Sequence, residues 1–235
     1  MSLADKKSRG FPMPRVLLIA VGLAHGIFAW ANRERRPEMI VLEAPPHATT
    51  RAALSFGDGQ FLYRYWAVHL QNAGDSGGRA TPMTDYNYDF VVGWLQALQA
   101  LDPDAQQHTF LAAHYFSQTP DLADVRRITD FVISDVELSP ARKWYWLTYV
   151  MTVAQKKLND LDYTLEISRR LASYDFADMN GWNYMFPAIY LERLGRYDEA
   201  RDELERTMET KRHKLRPEHF VWAEEFTGGL ARQRQ

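Results

Sequence analysis

The 235-residue chain contains no cysteine. That excludes disulfides, thiolate metal sites and a cysteine nucleophile, and it fits an oxidising compartment as well as a reducing one. Charge of either sign is not in excess: the formal net value of −2 leaves no basic footprint for nucleic acid. The seven histidines, at 25, 47, 69, 108, 114, 213 and 219, form no H-E-x-x-H or other metal-ligand spacing. Neither a phosphate loop nor a dinucleotide fingerprint occurs. These absences predict no catalytic residues, no metal, no cofactor and no small-molecule substrate.

What is abundant is apolar and aromatic. Hydrophobic residues make up 46% of the chain, enough to bury one large or two small domains, with 12 Tyr, 12 Phe and 7 Trp among them. Residues 1–15 form a basic tail carrying Lys6, Lys7, Arg9 and Arg15 against Asp5. Val16 to Ala31 is then uncharged, and Arg33, Arg35 and Arg36 follow. As a helix this run spans about 24 Å, short of the roughly 30 Å hydrocarbon core, but Met13, Pro14 and Asn32 extend it and the flanking arginines can snorkel. We read residues 16–32 as an uncleaved transmembrane anchor. The competing reading is a cleaved signal, since Ala29-Trp30-Ala31 has the small-x-small form of a cleavage site. The Lys and Arg count at the two ends favours the tail inside and the body outside, which in a bacterial cell means an inner-membrane protein with a periplasmic domain. Within the anchor Gly22 and Gly26 form a G-x-x-x-G beside His25, a candidate for helix–helix packing in lipid. Residues 33–58, with Pro37, Pro45 and Pro46, read as an extended linker.

From residue 59 to 235 the apolar residues recur with helical period. Helices are predicted over 60–73, 86–101, 105–118, 122–136, 141–158 and 161–174, then as a pair within 182–208, and last over 217–230. In the pair, Trp182, Met185, Phe186, Ile189 and Leu191 precede Leu194-Gly195-Arg196-Tyr197, and Ala200, Leu204 and Met208 continue after it. Gly195 suits a left-handed helix end, and Ala200 permits close helix approach. Landmarks recur: Trp146 and Trp182, Leu158 and Leu194, and Thr164 and Ala200 each lie 36 residues apart, while Val125 lies 39 before Thr164. The L-G-x-Y-x-x-A run resembles the middle of a tetratricopeptide (TPR) repeat, and Leu101-Asp102-Pro103 resembles a TPR ending. The resemblance spans roughly residues 60–210. It implies an all-α antiparallel helix-hairpin solenoid of about four pairs with a C-terminal capping helix, preceded by one transmembrane helix.

Gly74-Asp75-Ser76-Gly77-Gly78 matches the nucleophile motif of trypsin-like proteases. That chemistry needs an upstream His base and Asp on a double β-barrel. Here the upstream histidines lie in the anchor, between prolines and inside a helix, so the string reads as a loop. His108 and His114, six apart, fall on different faces of one helix in packing or surface roles. The run Lys211 to Arg216 reads as cations at a helix C-terminus, with lipid headgroups or an acidic partner as the alternative. Trp144, Tyr145 and Trp146 span about 200° of helix and cannot share one narrow seam. Trp144, Tyr145, Tyr149 and Trp182 are therefore the candidates for an exposed protein-binding surface. The expected function is a non-enzymatic, membrane-anchored scaffold, assembly factor or accessory subunit whose partners are integral membrane proteins. The alternatives are an all-α domain binding a lipid or small apolar molecule, which predicts an enclosed cavity, and an enzyme of unrecognised type.

Overall fold

Caps written into the sequence set the helix boundaries. Asp58, Asn87, Asp121 and Asp160 each accept a hydrogen bond from a first-turn backbone N–H, starting α3 (Gly59–Gln71), α4 (Tyr88–Leu101), α6 (Leu122–Leu138) and α9 (Leu161–Ser173). The computed structural model describes residues 13–31, 41–76 and 79–233. Its remaining helices are α1 (Met13–Ala31), α2 (Ala48–Leu54), α5 (Gln107–Phe110), α7 (Pro140–Lys143), α8 (Tyr145–Val153), α10 (Phe186–Arg193), α11 (Tyr197–Thr210) and α12 (Pro217–Gln233). The α5 segment continues through a π turn, Leu111–Tyr115, into a 3-10 turn, Phe116–Gln118, and α8 ends in a second π turn, Ala154–Leu158. Two-residue strands β1 (Asp75–Ser76) and β2 (Arg79–Ala80) pair antiparallel and close the loop between α3 and α4. The fold is all-α apart from that bridge.

The chain divides into two compact units, residues 1–40 and 41–235. In the first, Leu17 to Ala31 of α1 are exposed, and added Cβ atoms at Gly22 or Gly26 would meet nothing within 4 Å. Among the described residues no helix is long and apolar enough to cross a membrane. The nineteen residues of α1 rise about 28 Å, short of the roughly 30 Å core, and include Arg15. The crossing expected of residues 16–32 is thus not met by the described helix, and Asn32 lies outside the described residues.

The second unit takes in residues 41–58, expected as extended linker. Leu42 is buried, the Trp94 indole donates to the Glu43 carbonyl at 2.8 Å, and Pro45 lies against Gly93, where a Cβ would collide with its ring. This segment is fastened to α4, and α2 follows it. From there neighbours in sequence are neighbours in space: α3 packs on α4, α4 on α5 and α6, α6 on α8, α8 on α9, α9 on α10, α10 on α11 and α11 on α12.

Side-chain bonds between helices repeat the sequence period. Gln71–Gln107 and Gln99–Asp135 join residues 36 apart, Asp104–Ser139 and Gln155–Tyr190 residues 35 apart, and Arg126–Asp160 residues 34 apart. The turn before α9 and the turn before α11 use the same chemistry: Asn159 (φ 51°) and Gly195 (φ 73°), 36 positions apart, are both left-handed. At Gly195 the Arg196 N–H then reaches back to the Leu191 carbonyl at 2.9 Å, which closes α10. Val125, Thr164 and Ala200, aligned by spacing, are all fully buried, and the Thr164 hydroxyl is satisfied by the Asp160 carbonyl at 2.6 Å.

A candidate interaction surface on α5 and α8

The expected helix over 141–158 begins as α7 and resumes at α8, and its first turns separate four neighbouring side chains. Lys143 is fully buried, Trp144 half-buried, Tyr145 40% exposed and Trp146 buried. Gln106, just before α5, orients the outward rings. Its Oε1 accepts from the Tyr145 hydroxyl at 2.9 Å and the Trp146 indole at 2.8 Å, while its Nε2 donates to the Arg142 carbonyl at 2.9 Å. The Trp144 indole donates to Asp178 at 3.1 Å.

These rings meet others from α5. His114 lies 4.1 Å from Tyr149 and 5.5 Å from Trp146, and Phe110 lies 5.0 Å from His114, centroid to centroid. Tyr145 lies 5.0 Å from Trp146 and 6.1 Å from Trp144. The result is one aromatic surface across two adjacent helices, with Phe110, His114 and Tyr145 exposed and Trp144 and Tyr149 half-buried. Its flanking sequence carries no formal charge: residues 105–120 and 144–155 contain no Asp, Glu, Lys or Arg, in a chain where 25% of residues are charged. Charge depletion with exposed aromatic residues is the composition of an interface core.

Of the four residues expected to form such a surface, Trp144, Tyr145 and Tyr149 come together here. Trp182 does not join them: it sits on a 3-10 turn, Gly181–Tyr184, and packs on α12 beside His219 at 4.5 Å and Trp222 at 5.6 Å. The break before α10 has a local cause, because Pro187 in the first turn brings no N–H to an earlier helix. Phe110 and His114 were not among the residues expected to form this surface, although the charge-free run around them is visible in the sequence. Gly22, His25 and Gly26 lie in the other unit, on α1.

The same segments carry a cluster of buried charge that periodicity did not reveal. His108, Asp135 and Lys143 are all fully buried. Lys143 Nζ lies 2.8 Å from Asp135 Oδ2, and His108 Nε2 lies 3.0 Å from Asp135 Oδ1. Gln99 donates to the same carboxylate at 3.0 Å, as does the Thr109 hydroxyl. The Tyr63 hydroxyl is 3.0 Å from His108 Nδ1. Burial opposes the Asp135 charge, but hydrogen bonding and charge from His108, with further hydrogen bonds from Lys143 and Thr109, prevail and hold its pKa down to about 2. Burial also pulls Lys143 below its ordinary value, against Asp135, and pushes Tyr63 up to about 12. At 2.8 Å the charged Lys143–Asp135 pair is the state we assign at neutral pH. With α3, α4, α5, α6 and α7 all contributing, the cluster ties five helices together.

The other sequence candidates take packing roles. Ser76 of the G-D-S-G-G string belongs to the β1–β2 bridge, and Gly77–Gly78 lie outside the described residues. Lys211, His213 and Lys214 converge on Asp175 at 3.3–3.4 Å, and Lys214 also donates to the Phe176 carbonyl at 2.7 Å. These cations fasten the loop after α9. Among the described residues no group of three or more His, Cys, Asp or Glu could hold a metal ion. Compared with protein-family models, curated proteins and solved structures, the chain matches none.

Proposed function

We propose that this protein is a non-enzymatic, TPR-like binding protein held at a bilayer by α1, acting as a scaffold, assembly factor or accessory subunit of a membrane complex. The observation that carries the reading is the aromatic, charge-free surface shared by α5 and α8. Rigid aromatic residues on neighbouring helices present large apolar area at low entropic cost, which suits recognition of another protein. The consecutive helix pairs and their 34–36-residue bond separations support a solenoid. For the membrane, α1 is apolar on all sides and exposed along Leu17 to Ala31, a helix that requires cover. The Lys and Arg flanks favour the tail inside and the body across the membrane, which in a bacterial cell is the inner membrane with the body in the periplasm, where integral membrane subunits are the proposed partners.

A lipid or small apolar ligand is the second reading, and one feature favours it. A groove of about 760 Å³ between α11 and α12 is lined by Leu204, Met208, Phe220 and Ala223. It is open to solvent rather than enclosed, and so fits a lipid carrier less well than the aromatic surface fits a protein. Extraction of the full chain in mild detergent, followed by size and mass measurement, separates the two. A stoichiometric protein partner is the expected result, and a lone monomer carrying bound lipid would transfer support to the second reading.

A further inference from the structure

We propose that one corner of the compact unit, the turn Ser55–Asp58 together with the outer face of α3, rests in the interface of a lipid bilayer. The inference relies on the reading of α1 as a membrane helix and adds a second, independent contact.

The turn displays Phe56. Its backbone is left-handed (φ 46°), as is that of Gly57 (φ 84°), and the Asp58 N–H closes the turn on the Ser55 carbonyl at 2.7 Å. A bulky residue rarely adopts that conformation, and here it leaves the ring 90% exposed. Asp58 then caps α3 through the Phe61 N–H at 2.9 Å. Along α3, Leu62, Tyr63, Trp66, Ala67 and Leu70 face inward, and the opposite stripe is Phe61, Tyr65 and Val68, each about 60% exposed. On a helix facing water that stripe is ordinarily polar.

Three observations select lipid as the occupant. Residues 44–73 carry only three charged side chains, Arg51, Asp58 and Arg64, and the lone acid of that stretch is used as the α3 cap, so the stretch itself offers an anionic surface little repulsion. Phe56, Phe61 and Tyr65 are exposed together at this corner, and tyrosine is one of the residues that concentrate at the headgroup level of bilayers. The third is the covalent tether. Nine residues, 32–40, separate α1 from Val41, which allows a reach of about 30 Å at full extension. The entry segment is tied to α3 and α4: Trp94 of α4 holds the Glu43 carbonyl and meets the α3 rings of Trp66 at 5.4 Å and His69 at 5.3 Å, and Arg51 of α2 donates to the Pro46 carbonyl at 3.2 Å. The chain that leaves α1 therefore leads, through this segment and α2, directly into the Ser55–Asp58 turn and α3.

Because the chain has no cysteine, single labels are clean. The full chain carrying Leu23→Cys, Phe56→Cys, Tyr65→Cys or Leu138→Cys is labelled with an environment-sensitive fluorophore. Each is reconstituted in phosphatidylcholine–phosphatidylglycerol vesicles with a lipid-borne quencher. Labels at 23, 56 and 65 should lose most of their emission, and the label at the exposed position 138 should keep it. Quenching at 23 with full emission at 56 and 65 overturns the proposal and leaves the α1 reading intact. Full emission at all four positions removes both. A shielded but unquenched label at 56 and 65 that becomes exposed on dilution in lipid shows a second copy on this face, and also overturns the proposal.

Discussion

Two helix pairs of the same design are held together by opposite means. Between α10 and α11 the contact is apolar shape: Leu191, Ala200 and Leu204 are buried, and Gly195 supplies the turn. At α5 and α6 the contact is buried charge, with His108, Asp135 and Lys143 sealed from water and satisfying one another. Shape tolerates small changes by local relaxation. A buried ionic cluster does not, because removing one member leaves the others charged and desolvated. Helix α5 takes part in both the cluster and the aromatic surface, so the face proposed to bind is built on a helix anchored by buried charge.

The largest expected effect tests that asymmetry. Lys143→Met strands Asp135 and His108 and should destabilise the fold by about 3–5 kcal/mol, read by urea unfolding. Adding Asp135→Leu should restore much of that stability, since a buried pair replaced by apolar residues is often close to neutral. Acid gives the next effect. The unfolded Asp135 carboxyl takes up its proton at a higher pH than the folded one, whose pKa lies at about 2 instead of 3.8. The resulting stabilisation, on the order of 2 kcal/mol, is present above about pH 4 and is lost as the pH falls to about 2. Unfolding curves of the native chain across that window should show the loss, and Asp135→Leu in the Lys143→Met background should flatten it.

Gly195 probes the other pair. An alanine Cβ there would meet nothing within 4 Å, yet the backbone is left-handed at φ 73°, so Gly195→Ala should cost about 1–2 kcal/mol from backbone strain alone. Asn159→Gly, at the matching turn, should change stability by only a few tenths of a kcal/mol. The surface should bear on binding more than on stability: Tyr145→Ser should stay within about 0.5 kcal/mol by thermal unfolding, while weakening partner association in the extraction experiment.

The contrast also explains what could be read in advance. Apolar packing writes itself as period, so Gly195, Ala200 and the buried positions Thr164 and Val125 were legible as a repeated hairpin. Helix starts were legible where a capping Asp preceded them, as at Asp121 and Asp160. The buried cluster was not, because Asp and Lys are residue types ordinarily left to solvent even where, as at Asp135 beside Val132 and Lys143 beside Leu147, the helical spacing turns them inward, and their partner His108 lies 27 and 35 residues away. Helix α2 was hidden by the prolines before it, and Trp182 was grouped with the surface rings because aromatic content does not say which face a turn presents. His108 and His114 were correctly placed on different faces: one lies in the buried cluster, the other among the exposed rings. The absence of charge over 105–120 and 144–155 was the unused signal that links Phe110 and His114 to Tyr145.

The claim that the α5–α8 face binds a protein is tested most directly by photo-crosslinking in intact membranes. A benzophenone side chain placed at Phe110 or at Tyr149 should yield a discrete adduct of constant mass, weakened by Tyr145→Asp, while the same group at the exposed Leu138 should yield none. Equal or absent crosslinking at all three positions, with the protein folded and in the membrane, would contradict the account.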